Sequence, residues 1–275
     1  MKIRLSLFIL LTGVFIFSSC NKGNTDSPYA NDSIPKIQKI AEFYNGSKQR
    51  ETSFTYDSNA RLIKVLYNEI YSSEQFYDSL SYTSTTVTRT TYNRNHKFME
   101  QEVFTLNSKH LAVVMTDTLG EEKKSARLHF KYGSLENESN IYVYDLDGYQ
   151  TLEITSNEFG GIHRFEKTFA NGNLVSSIYQ YMANDTVILN GNSYFNYFDN
   201  LNTIGNQNRG IFFLGKQNTN LISSLTDQRW HSTDTLHLTT SYRYEYDSRK
   251  RVVKQFISPN QGENDDVTYL EYTYR

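Results

Sequence analysis

From Lys36 to Arg275 one small pattern recurs: a short run of alternating apolar and polar residues, then a polar turn. Ser53-Phe54-Thr55-Tyr56, Ile141-Tyr142-Val143-Tyr144 and Tyr242-Arg243-Tyr244-Glu245-Tyr246 are typical runs. Alternation with period two, rich in Tyr, Phe, Thr, Val and Ile, is the signature of a strand with two unlike faces. Between the runs stand Asp57-Ser58-Asn59-Ala60, Asp145-Leu146-Asp147-Gly148, Asn171-Gly172-Asn173 and Asp247-Ser248-Arg249-Lys250. In each, an Asx side chain can close a tight turn and Gly or Asn can take positive φ. Turns recur every 8–14 residues, Pro259 is the only proline beyond Lys36, and no stretch sustains helical periodicity. The pattern predicts an all-β chain of about 15–18 strands, an antiparallel up-and-down meander curled into an open or closed barrel. Asn200 to Asn208 is the exception, a short helix or an irregular loop.

Charge narrows the function. The 275 residues carry 28 Lys+Arg against 30 Asp+Glu. That near-balance lacks the clustered positive charge by which proteins displace counterions from nucleic acid, so no nucleic-acid partner is expected. Three prolines and 15% aromatic residues also argue against disorder.

The N-terminus is different in kind. Lys2 and Arg4 precede an apolar stretch from Leu5 to Phe17, then Ser18, Ser19 and the single cysteine, Cys20. Thirteen residues at about 1.5 Å each rise only about 20 Å, short of a bilayer core of about 30 Å. Residues 1–19 therefore read as an export signal. Phe17-Ser18-Ser19-Cys20 resembles the lipobox of bacterial lipoproteins, which implies acyl chains on Cys20 and a membrane partner through them. Two or three acyl chains at about 0.8 kcal/mol per buried CH₂ would anchor a protein stably. Residues 20–35, rich in Asn, Ser, Asp and Gly, read as the lipidated cysteine and a flexible tether. Residues 36–275 read as one β-meander domain with no cysteine for a disulfide or a thiolate metal site.

Two segments far apart nearly repeat. Phe54-Thr55-Tyr56-Asp57-Ser58-Asn59-Ala60-Arg61-Leu62-Ile63-Lys64 aligns with Tyr244-Glu245-Tyr246-Asp247-Ser248-Arg249-Lys250-Arg251-Val252-Val253-Lys254. Tyr144 to Tyr149 and Phe169 to Val175 are looser copies. A lipobox, a polar tether and successive Tyr-Asp-Ser-x-x-Arg hairpins, similar to YD repeats, together resemble a Bacteroides-type lipoprotein family of unknown function with a porin-like fold. The resemblance implies a curled antiparallel sheet on an outer-membrane lipoprotein and carries no catalytic residues with it. Asn21 to Asp26 lacks the acidic run that sends many such lipoproteins to the cell surface, which points to the periplasmic face.

Motifs for chemistry are few. Gly210 to Gln217 (GIFFLGKQ) nearly spells a phosphate-binding loop. Gln217 stands where a Mg²⁺-holding hydroxyl is needed, and four bulky residues separate the glycines, so a buried strand is expected there. Six histidines are scattered; His231 and His237 could share a strand face, with Asp234 between them. Asp145 to Gly148 lacks the later ligands of a calcium loop, and Glu263 to Asp266 reads as a solvated loop. No cofactor, metal site or catalytic motif is expected, and hence no enzyme.

Tyrosine is the feature with functional promise. The 22 Tyr exceed the 14 Phe left when the three in the export segment are removed from 17. Tyr242, Tyr244 and Tyr246 fall on one strand face, and Tyr272 and Tyr274 on another. They form either the core of a curled sheet or a partly open face for a ligand. The expected function is a non-enzymatic binding or interaction protein of the cell envelope, with a glycan or an envelope protein as partner. The alternatives are a periplasmic lipid or lipoprotein carrier and a glycan-acting hydrolase. A transmembrane barrel is the structural rival, against which the lipid anchor and the terminal Tyr274-Arg275 count.

Overall fold

The structure, a computed structural model, describes residues 34–71, 75–119, 139–156, 161–183, 186–231, 234–259 and 268–275. The export segment, Cys20 and the run Glu263 to Asp266 lie outside the described residues. The strands are β1 (Ile37–Tyr44), β2 (Ser47–Tyr56), β3 (Leu62–Glu69), β4 (Gln75–Tyr82), β5 (Thr86–Asn93), β6 (Phe98–Leu106), β7 (Ala112–Leu119) and β8 (Ser139–Tyr144). They continue as β9 (Gln150–Ser156), β10 (Ile162–Ala170), β11 (Asn173–Ala183), β12 (Thr186–Leu201), β13 (Asn220–His231), β14 (Asp234–Tyr246), β15 (Val252–Pro259) and β16 (Thr268–Tyr274). Each pairs antiparallel with its neighbours in sequence, and β16 pairs with β1 to close a sixteen-stranded barrel. At the seam Ile40 lies opposite Tyr272 and Glu42 opposite Leu270.

One turn device recurs at one end of the barrel. Asp57 Oδ1 accepts from the amides of Asn59 and Arg61, both at 2.9 Å, while Oδ2 takes the Arg61 guanidinium at 2.7 Å. Asp247 repeats this with the amides of Arg249 and Arg251 at 2.9 Å and the Arg251 guanidinium at 2.8 Å. Ala60 and Lys250 take the left-handed conformation that completes each turn, at φ 59° and 60°. Asn107 closes the β6–β7 turn through the amides of Lys109 and Leu111, and Asp145 the β8–β9 turn through Tyr149. The Asn171-Gly172 turn is built differently, with positive φ at both residues. The Arg of each close repeat also covers a tyrosine ring, Arg61 over Tyr82 at 4.8 Å and Arg251 over Tyr274 at 4.5 Å.

Near the stopper the alternation turns apolar residues inward, with charged groups such as Arg50, Arg89, Glu153 and Lys167 also on the inner face. Phe54 faces Val65, Val87 faces Phe104, and Phe104 faces Met115, all toward the lumen. The other face carries Ser53 beside Leu66, Lys64 beside Ser79, Ser81 beside Thr88, and Thr226 beside Thr239. Ion pairs join Lys39 to Glu51 at 3.0 Å and Lys254 to Glu271 at 3.1 Å on that outer face. A membrane-spanning barrel needs an outward apolar band about 25 Å tall. Here apolar residues do face outward, as Ile141, Leu152, Ile154 and Ile178 over β8 to β11, Leu66 and Tyr77 over β3 and β4, and Phe43, Phe256 and Tyr269 near the seam, but charged pairs such as Arg164–Glu166, Lys39–Glu51 and Lys254–Glu271 lie among them.

Inside, tyrosines brace the strands. Tyr56 donates to Ile37 O (2.5 Å), Tyr82 to Leu62 O (2.7 Å) and Tyr197 to Leu174 O (2.7 Å). Tyr244 donates to Ile222 O (2.9 Å) and Tyr274 to Val252 O (2.8 Å). In each case a phenol near the end of an even-numbered strand holds a carbonyl near the start of the strand before it. Burial pushes the pKa of Tyr56, Tyr197, Tyr244 and Tyr274 up, so they remain donors at neutral pH.

The two repeated turns make stability acid-sensitive. Burial alone would raise the Asp57 carboxyl, but the bonds from the Arg61 amide and guanidinium outweigh it and hold it below its usual range. The Arg251 amide does the same for Asp247. A carboxyl with a depressed folded pKa contributes stability above its unfolded pKa of about 3.9, lost as pH falls through the folded value. The urea midpoint should therefore fall as pH drops from about 5 to about 3. An Asp57→Asn/Asp247→Asn double variant, which keeps the amide acceptors but cannot titrate, should show a shallower fall.

Candidate functional site

A ring of sixteen strands encloses more space than its own side chains can fill; barrels of that size commonly hold a water channel. Here the β12–β13 connection folds inward as a stopper. Its neck is closed by Asn202 N to Thr219 O at 2.8 Å. A one-turn helix α1 (Asn206–Arg209) and a 3₁₀ turn (Phe212–Leu214) follow, each ended by a glycine. Phe213 packs on Phe104 at 5.0 Å between ring centroids and is 2% exposed. The segment expected as a buried strand, Gly210 to Gln217, is thus buried or half-buried from Gly210 to Gly215, exposed at Lys216 and Gln217, and not a strand. Its two aromatic residues point from a 3₁₀ turn rather than along a pleat.

The two glycines that mimic a phosphate loop are set by close approach to the wall. Gly210 has φ 72°, and a Cβ there would sit 2.8 Å from the Tyr56 ring and 3.0 Å from Leu62 N. Gly215 has φ 79°, and its Cβ would sit 2.6 Å from the Tyr144 ring and 2.8 Å from Gly148 O. Both positions need the missing side chain. Polar contacts then seat the stopper: Leu62 N donates to Gly210 O (3.3 Å), Lys216 N to Gly148 O (2.9 Å) and Thr219 N to Gly172 O (2.9 Å). Lys36 Nζ donates to Gln207 O (2.9 Å), and Asn208 Nδ2 to Pro35 O (3.0 Å). The stopper therefore lies at the end where β1 begins and β16 finishes.

Cavities remain around the stopper. One of about 530 Å³ is lined by Phe54, Leu62, Val65, Leu80, Phe213 and Leu270, with the charged groups of Glu42, Arg50, Asp78, Arg89 and Arg209 among them. A second, of about 510 Å³, is bordered by Tyr142, Glu153, Lys167, Phe169, Tyr244 and Arg209. Most of these charges are satisfied. Arg50 pairs with Glu42 at 2.7 Å and Glu69 at 3.5 Å, Arg89 with Glu102, and Lys167 with Glu153 at 3.0 Å. Asp78 accepts from Tyr67 OH at 2.9 Å and Thr91 Oγ1 at 2.8 Å. Burial, with the Asp78 charge beside it, pushes the Tyr67 phenol up, so it stays a donor. A third cavity, of about 360 Å³, lies against His163, Phe165, Tyr179, Asp227 and Arg229.

The predicted tyrosine faces point into the lumen. Tyr242 pairs with Ile257 and Tyr244 with Gln255 on the inner wall. Tyr244 borders the second cavity. Tyr272 is 4% exposed and donates to Gln255 Oε1 at 2.6 Å. Tyr274 closes the stopper end, also donating to Thr203 O at 3.2 Å, and Tyr246, at the rim, is 37% exposed. His231 and His237 do not share a face. They lie on different strands, β13 and β14, where Gln228 pairs with His237 and His231 with Asp234, which sets the two positions on opposite faces. His96 and His110 occupy left-handed turn positions, and His129 lies outside the described residues. Among the described residues no group of three His, Cys, Asp or Glu side chains is arranged to hold a metal ion.

The class these features define is a closed, stoppered, all-β barrel. Two crystal structures are similar to it in fold: a porin-like protein from Bacteroides uniformis, with TM-score 0.60 and 14% identity over 87% of this chain and 98% of that one, and a porin-like protein from Bacteroides vulgatus, with TM-score 0.56 and 15% identity over 88% and 99%. At such identities the likeness is one of fold. No protein-family model matches the chain, and no curated protein does.

The stopper's seat is testable at one atom. Gly210→Ala forces a side chain into a left-handed conformation, which costs about 1–2 kcal/mol before the Tyr56 contact is counted. The expected result is a lower urea midpoint together with faster amide exchange across residues 203–216 than in the wild type.

Proposed function

We propose that this chain is a lipid-anchored, non-enzymatic binding protein of the bacterial cell envelope whose barrel lumen holds an apolar small molecule. The observation that carries the reading is the inverted wall. The outer face bears hydroxyls and ion pairs suited to water, while the inner face and stopper surround an apolar cavity of about 530 Å³, within the usual range of about 300–1,000 Å³ for small-molecule sites. That cavity favours ligand carriage over adhesion through a flat surface. In this reading Cys20 carries the acyl chains. Residues 21–35, as a flexible coil spanning roughly 20 Å, hold the barrel in water on the periplasmic face of the outer membrane.

Membrane fractionation separates this from a barrel that spans the bilayer. Wild type should partition with membranes and be extracted by detergent, whereas Cys20→Ala should appear in the soluble fraction. Retention of Cys20→Ala in carbonate-washed membranes would mean that the strands themselves are inserted. For the cavity, the purified mature chain should enhance the fluorescence of N-phenyl-1-naphthylamine. Leu270→Trp, which fills the cavity, should weaken that binding by about tenfold, or about 1.4 kcal/mol, with an unchanged far-UV spectrum.

A further inference from the structure

Arg209 is the lumen cation without an opposite charge. It projects from the short helix of the stopper and borders both of the larger cavities. Arg50, Arg89 and Lys167, the other cations of the inner wall that line these spaces beside exposed Lys216, each have a carboxylate. Among the described residues no carboxylate pairs with Arg209, and its Nε is buried without an acceptor. Its polar neighbours are phenols, Tyr272, with which it shares a hydrogen bond, and Tyr56. Both are neutral at physiological pH.

A guanidinium cannot shed its proton to escape such a place. Arg209 is half-buried, with its Nε shut off from water, and a charge so placed without a counter-charge is unfavourable until an anion meets it. The stopper instead fixes it: Asn208 is tied to Pro35 and Gln207 to Lys36 on the residues before it, and Gly210 is wedged against Tyr56 after it. The result is a guanidinium carried on a backbone held in place at the floor of a largely apolar chamber, and its two-pronged donor set matches a carboxylate.

We propose that Arg209 binds the headgroup of the lumen ligand, and that the ligand class is a single-chain amphiphile ending in one carboxylate. The proposal rests on the reading of the lumen as a binding chamber and adds the identity of its polar end. The apolar tail lies along Phe54, Leu80 and Leu270, and the carboxylate replaces the missing counter-charge.

Titration calorimetry with dodecanoate and dodecan-1-ol, the same chain with and without the charge, tests both levels separately. The delipidated mature chain should bind dodecanoate at least about tenfold tighter than the alcohol at pH 7.5, and Arg209→Gln should erase that preference while leaving alcohol binding unchanged. Arg209→Lys should restore part of it. Equal binding of acid and alcohol by the wild type would overturn the headgroup site and leave the chamber standing. Loss of both ligands in a folded Arg209→Gln variant would overturn it too, since the arginine would then act only on the shape of the cavity. Binding of neither by the wild type would remove the chamber reading, and this proposal with it.

Discussion

Everything inside this barrel depends on the way the 202–219 segment is seated. Two apolar clusters line the wall. One is centred on Leu62, Val87 and Phe104, the other on Ile37, Leu221 and Val252. Phe213 belongs to the first, and Ile204 packs against the second. The stopper therefore joins halves of the barrel that side chains from opposite walls could not join alone. Dispersion and burial scale with contact, and an empty core of this width would forfeit both. The glycines at 210 and 215 are the condition for that contact, because each brings the backbone against a tyrosine ring.

The wall's polarity follows from the same economy. With a filled lumen, the inward face of each strand can bury apolar side chains, and the outward face is free to be hydrophilic. A barrel that spans a bilayer distributes these properties the other way round. The likeness to porin-like structures is one of fold. Hydroxyl rows such as Ser79, Ser81, Thr88 and Thr90 are turned outward here.

The hairpins were legible because their information is local. Asp57 and Asp247 close their turns with atoms from residues two and four positions on, so a short sequence window contains the whole device. Asn93 and Asn107 build the same turn without the flanking Tyr-Asp signature, which hid them. The stopper was hidden for a different reason. Ile211 to Leu214 is apolar without a period, and burial alone does not tell a strand from a 3₁₀ turn. The cue available was length: 18 residues lie between β12 and β13, where hairpins at the same end turn in two to five. The lone charge on Arg209 was beyond reach. Its isolation is a statement about which carboxylates from β1, β3, β6 and β9 are already engaged, and that is settled only when the ring closes.

The tyrosine excess has two sources that the sequence could not separate. A phenol near the end of an even strand spans to the carbonyl at the start of the strand before it, which phenylalanine could not do. Tyr56, Tyr82, Tyr197, Tyr244 and Tyr274 all serve in this way. These braces cluster at the stoppered end, where each gives a carbonyl near the start of an odd strand a donor. Tyr272 is different, since its donor goes to Gln255 while its oxygen faces Arg209. The braced end is also the end at which residues 34–37 join the barrel, so the floor of the lumen there is held by hydrogen bonds from the wall, the stopper and the start of β1 together.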